Sequence, residues 1–174
     1  MPAHQAAFTL VELLVTLMVF CIILVLALPA LSTLLMNNHL KANTDLFVNA
    51  LNYARNTALS QSINVMVCPL GALGSTTCGS NWNSGWIVIT QPVSGTNTLL
   101  QTQQAGPKDP NLSGSVSSVL FDPHGLATTQ NNFTLCDSRG STFAYSVEVL
   151  ATGFIQSGST AGQAVWNNGA LTCP

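Results

Sequence analysis

Two patterns of apolar residues divide the chain. From Leu13 to Leu40 no residue is charged, and the stretch from Leu13 through Leu28 is apolar on every side. As a helix, residues 13–35 would extend roughly 35 Å at ~1.5 Å per residue. A bilayer core is ~30 Å thick and takes ~20 apolar residues, so the pattern predicts one membrane span. A run that is apolar all round and has no obvious bundle partners does not suit a buried helix of a soluble protein. A cleaved secretory signal also fits poorly. Residues 1–12 contain no Lys or Arg, the run exceeds the usual apolar stretch of about 7–15 residues, and Ala27 and Ala30 are not in A-x-A spacing. Pro29 interrupts the span and predicts a kink, which membrane helices tolerate among neighbouring helices.

Past the span the period becomes one-sided. Leu40, Phe47, Leu51, Ala54 and Ala58 fall on one face of an amphipathic helix. No Gly or Pro occurs between Ala30 and Cys68 to stop it. The simplest expectation is a single helix over about residues 9–61, with its first half in lipid and its second half laying an apolar stripe on a soluble domain. From Ile63 the period falls to two. Ile63, Val65 and Val67 alternate with Asn64, Met66 and Cys68, and Phe143, Tyr145, Val147 and Val149 alternate with Ala144, Ser146, Glu148 and Leu150. Gly85–Thr90 is a β-branched run, and 98–102, 116–121, 132–136 and 153–156 are shorter candidates. Gly, Pro, Ser and Asn clusters at Gly71–Gly85, Gly106–Gly114 and Asp122–Gly125 separate them as turns. The expected class is α+β, a long N-terminal transmembrane helix packed on an antiparallel β-sheet domain. The expected division is a span to residue 35, a helical stem over 36–61 and a β-rich head over 62–174.

Composition narrows the function classes. Only 6% of the 174 residues are charged, four Lys and Arg against six Asp and Glu, for a net charge of −2. Globular chains average ~25% charged residues, and nucleic-acid binders need clustered cations to displace counterions. A hydrophobic content of 47% excludes a solvated disordered chain. There is no G-x-S-x-G, no H-E-x-x-H and no Walker loop. His4, His39 and His124 stand apart along the chain, and His124 reads as a turn residue. Asp137 and Arg139 read as a turn with a surface ion pair worth ~0–1 kcal/mol. Trp86 belongs to an apolar strand and to the core. Trp82 and Trp166, flanked by Asn, are candidate exposed contact residues. The reading is therefore of a chain that is no enzyme, with no catalytic residue, cofactor or metal.

Five cysteines sort by position. Cys21 lies in the span and reads as a free apolar residue. Cys68, Cys78, Cys136 and Cys173 allow three pairings. The favoured one joins Cys68 to Cys78 and Cys136 to Cys173, the second tying down a terminal tail. No C-x₂-C pair argues for structural zinc, and disulfides imply an oxidising compartment.

Ala7-Phe8-Thr9-Leu10-Val11-Glu12-Leu13-Leu14-Val15, followed by the apolar run, resembles the N-terminus of type IV pilins and type II secretion pseudopilins. The resemblance implies a leader over residues 1–7, cleavage by a prepilin peptidase between Ala7 and Phe8, and N-methylation of Phe8. The residue before the cut is Ala7 where the family usually has Gly, and the leader lacks the usual Lys or Arg. Pro29 sits where the family helix typically has a proline. Glu12 lies four residues after Phe8, on the same helix face. The family implies that this acid pairs with the amine of a neighbouring subunit during assembly, offsetting the cost of a carboxylate at the edge of lipid.

Further motifs resemble the H-type minor pseudopilins (GspH/FimT-like). These are Cys68-Pro69, Cys78, Trp82-x-x-Gly85-Trp86-Ile87-Val88, Phe121-x-x-x-Gly125, Thr134-Leu135-Cys136-Asp137-Ser138-Arg139-Gly140, and the Val147-x-Val149 strand ending at Gly153. The resemblance implies a structural subunit of a type IV pilus or type II secretion pseudopilus, sited at the tip and supporting assembly. Its partners would be the prepilin peptidase, other major and minor pilins or pseudopilins, and the inner membrane, which it would cross once with the β domain in the periplasm. Some FimT-like members capture DNA for natural transformation through Gly-Arg-x-Arg. The matching positions here are Gly153-Phe154-Ile155-Gln156, which lack both arginines, so DNA is the alternative partner.

Overall fold

The computed structural model describes residues 9–174. One helix, α1 (Leu10–Gln61), supplies residues to two units, the chain up to Asn38 and His39–Pro174. In the first unit the described large apolar side chains from Leu10 to Leu35 are exposed, and by length and composition this segment can cross a membrane. Pro29 lies inside α1; its side chain is outside what the structure describes.

The second unit is built on the other half of the same helix. Leu40, Phe47, Ala50, Leu51, Ala54 and Ala58 are each at most 1% exposed. Ala50, Ala54 and Ala58 follow one turn apart, and Phe47 brings the largest fully buried side chain to the stripe. Its ring meets Trp82, Trp86 and Phe133 edge-on at 5.8, 5.1 and 4.9 Å between centroids. Such pairs each add ~0.5–1.5 kcal/mol beyond area burial. Polar side chains on the buried face bond to the preceding turn, Thr44 Oγ1 to the Leu40 carbonyl at 2.9 Å and Thr57 Oγ1 to the Tyr53 carbonyl at 2.8 Å. Among the described residues no buried side-chain donor of α1 on that face lacks a partner, whereas Nε1 of Trp86, packed against Phe47, has none.

Eight strands form two antiparallel sheets. The first has the order β3 (Leu99–Gln104), β2 (Gly85–Gln91), β1 (Asn64–Pro69), β5 (Val119–Phe121). The second has the order β4 (Asn111–Gly114), β6 (Asn131–Cys136), β7 (Tyr145–Val149), β8 (Ile155–Ser157). The period of two assigns the faces. Val65, Val67, Val88, Phe133, Leu135, Val147 and Val149 join the α1 core, whereas Ile87 and Ile89 pack with Cys68 and Leu70 on the far side of the first sheet. On the second sheet the residues between the core positions, Asn132, Thr134, Ser146 and Glu148, are polar; Asn132 and Thr134 are half-buried, whereas Ser146 and Glu148 are buried.

Three expectations need correction. β4 occupies the Gly106–Gly114 stretch expected as a turn. The segment 116–121 contracts to the three residues of β5. Phe143 ends a 3₁₀ turn, Ser141–Phe143, instead of opening a strand.

Two motif glycines meet at one junction. Gly125 (φ +72°) and Gly153 (φ +76°) both hold left-handed backbone, and a Cβ on Gly153 would sit 1.8 Å from the Gly125 carbonyl oxygen. That carbonyl accepts from Arg55 Nε on α1 at 3.0 Å. Only glycine fits such a close approach, and the junction ties the β5–β6 and β7–β8 turns to the helix.

Candidate functional site

The start of α1 carries the residues on which assembly would depend. Ala7 and Phe8 lie outside the described residues. Thr9 caps the helix: its Oγ1 accepts from the Glu12 backbone N–H at 3.3 Å, and its carbonyl accepts from the Leu13 N–H at 3.2 Å. Thr9-Leu10-Val11-Glu12 has the S/T-x-x-E spacing of a capping box. Glu12 therefore has a local role not assigned to it from sequence: a carboxylate in the first turn complements the positive end of the helix dipole. Its side chain is exposed among Leu10, Val11, Leu13 and Leu14. An acid so placed is free to take a cationic partner from outside the chain.

The head is braced by two disulfides, Cys68–Cys78 and Cys136–Cys173. The first closes a loop that also bridges Leu70 to Cys78, with Gly79 N–H donating to the Pro69 carbonyl. The second fastens the end of β6 to the C-terminal tail. Cys21 is a free, exposed thiol on the apolar half of α1.

The other singled-out residues divide sharply. Trp82, expected as an exposed contact, is buried at 6% exposure. A 3₁₀ turn, Trp82–Ser84, capped by the Asn81 side chain, swings the indole inward, where Nε1 donates to the Val116 carbonyl at 2.8 Å. Trp166 is half-buried, resting on Cys136, Ala144, Ala164 and Leu171. Asp137 and Arg139 form an ion pair at 2.6 Å with both side chains 15% exposed, more covered than the surface pair expected. The guanidinium also lies over the Phe143 ring, 4.2 Å from its centroid. Burial pushes the Asp137 carboxyl upward, but the side-chain, backbone and charge interactions of Arg139 outweigh it and hold the group below its ordinary value. Asp122 closes the next turn. The Leu126 N–H at 2.8 Å, and after it the His124 N–H at 2.9 Å, keep its carboxyl low. His124 is a turn residue whose side chain is 82% exposed.

At the positions matching Gly-Arg-x-Arg, Phe154 is exposed and the Gln156 amide donates to Glu148 Oε2. Gln130 donates to Glu148 Oε1. This buried acid is thus held by two neutral amides. Among the described residues, no group of His, Cys, Asp and Glu is placed to hold a metal ion.

These features agree with known proteins. The Prokaryotic N-terminal methylation motif matches residues 2–28. Two crystal forms of the Pseudomonas aeruginosa type IV minor pilin FimU share the fold. One has a TM-score of 0.58 at 21% identity, covering 73% of this chain and 95% of FimU; the other has 0.56 at 19%, covering 72% and 98%. No curated protein gives a significant match over the whole sequence. The family described as Type II transport protein GspH matches residues 43–153, the greater part of the chain and nearly all of the head's sheets. The protein is a member of the GspH family, a pilin-like subunit with an N-terminal methylation motif.

Proposed function

We propose that the chain is a minor subunit of a type IV pilus or a type II secretion pseudopilus, sited at the tip, that supports assembly of the filament. A prepilin peptidase removes residues 1–7, and Phe8 becomes the methylated N-terminus. Residues 8–35 hold the subunit in the inner membrane, with the stem (36–61) and head (62–174) in the periplasm, until the helix enters the filament. The supporting observation is the division of α1 into an exposed apolar half, carrying Glu12 at its start, and a half buried in the head. Glu12 then pairs with the Phe8 amine of a neighbouring pilin, which offsets its desolvation and sets the register.

Mass spectrometry of the membrane-extracted chain should show residues 1–7 absent and one added methyl group on Phe8. Retention of the leader would overturn the reading. Glu12→Val should leave the subunit in the membrane but abolish its recovery in sheared filaments or pseudopili, while wild-type recovery would exclude the pairing.

DNA capture is less well supported. The head holds Lys108 and Arg139 as its cations beyond residue 62, and Arg139 is already paired with Asp137. A gel-shift of the full chain in detergent should show no salt-sensitive retardation of double-stranded DNA.

A further inference from the structure

The outer face of the second sheet and the C-terminal tail border an open groove of about 430 Å³. Its floor comes from neighbouring strands. Ser113 on β4 stands opposite Thr134 on β6, and Asn132 donates its backbone N–H to Ser115 Oγ at 3.1 Å. Trp166 and Thr172 of the tail form the opposite wall. The tail is fixed before any ligand arrives. Ser146 Oγ donates to the Gln163 carbonyl at 3.1 Å and accepts from the Val165 N–H at 2.9 Å, and the Cys136–Cys173 disulfide closes its end. A preformed wall lowers the ordering cost of binding.

The chemistry of the groove is specific. No charged side chain lines it, so a phosphate or carboxylate polymer would find no counter-charge there. Its hydroxyls offer both roles: Ser113 Oγ donates to the Thr134 carbonyl at 3.3 Å, which leaves its lone pairs to accept. The Trp166 indole adds a flat face whose negative π surface attracts polarised C–H groups. Asn132 Oδ1 is covered yet accepts no hydrogen bond among the described residues. Asn132 itself lines the groove, and a side-chain amide can both donate and accept. A ligand with an apolar C–H face, a rim of hydroxyls and no charge fits all three features.

We propose that this groove binds a neutral saccharide, stacked on Trp166 and hydrogen-bonded by Asn132, Thr134 and Ser113. The full chain, purified in a detergent without a sugar headgroup, should be tested on an array of short neutral hexose and N-acetylhexosamine oligosaccharides beside sialylated, sulfated and uronic-acid counterparts. Retention of a neutral glycan is expected, followed by a measurable affinity for that glycan by calorimetry. Trp166→Ala should weaken it about tenfold or more, equivalent to ~1.4 kcal/mol, and Asn132→Ala and Thr134→Val several-fold. Thr134→Val keeps the side-chain shape and serves if Trp166→Ala loosens the tail, which intact disulfides and an unchanged near-ultraviolet spectrum would monitor. Three results would overturn the proposal: silence across the neutral panel, retention of charged glycans only, or affinity unchanged in all three folded variants. A filament neighbour seated in the groove would show itself as the first of these.

Discussion

The two halves of α1 differ in how their apolar residues are arranged and face opposite demands. Between Leu10 and Leu35 the helix keeps leucine, valine and isoleucine on all sides, and they remain exposed. Between Leu40 and Ala58 it turns one face inward, with Leu40, Phe47, Ala50, Leu51, Ala54 and Ala58 at most 1% exposed, while Leu46 and Tyr53 stand exposed. The difference lies in what surrounds each half. A helix uniformly coated in hydrocarbon suits a solvent that is itself hydrocarbon, whereas a one-sided stripe must be matched by strands. The small residues Ala50, Ala54 and Ala58 belong to that stripe.

Core truncations should separate the two halves most strongly. Phe47→Ala removes the ring against which Trp82, Trp86 and Phe133 pack, and should lower head stability by about 3–5 kcal/mol, read by thermal melting in detergent. The Cys136→Ser, Cys173→Ser double variant should cost about 2–4 kcal/mol and expose the tail to limited proteolysis. Asp137→Asn should cost about 1–2 kcal/mol at neutral pH through lost charge-assisted bonds to Arg139. Folding lowers the Asp137 pKa, so its contribution is complete above the unfolded value of about 3.9. It fades as pH falls through the folded value, and the wild-type and variant melting curves should converge in acid. The smallest effect should come from Phe20→Ala on the exposed half, under about 0.5 kcal/mol on the same head transition. A large shift there would break the contrast between the halves.

Much of this was legible from periodicity. The stripe Leu40, Phe47, Leu51, Ala54 and Ala58 is the helix's buried face, and the alternations around Val65 and Val147 are β1 and β7. What periodicity lacks is partners. It does not reveal that β5 crosses to β1 while β4 joins β6, which makes two sheets. β4 was hidden because Asn-Leu-Ser-Gly is short, polar and followed by turn residues. It sits at an edge, where one buried residue, Leu112, suffices. Trp82 was misread because flanking asparagines suggest exposure, whereas a tight turn can bury the residue between them. Within the proposed assembly site, Glu12 stood out as a lone acid, and the overlooked clue was Thr9 three residues before it. The groove was illegible, since Ser113, Thr134 and Trp166 converge only through sheet pairing and a disulfide.

The burial of Phe47 on Trp82, Trp86 and Phe133 has a consequence for how this protein could ever be shed. The segment that leads out of the bilayer is also one wall of the head's interior. A protease cutting between Asn43 and Gln61 would not liberate an intact head, because it would remove that wall and bare the aromatic rings behind it. Release with the fold preserved requires a cut before the wall begins, or withdrawal of the entire helix.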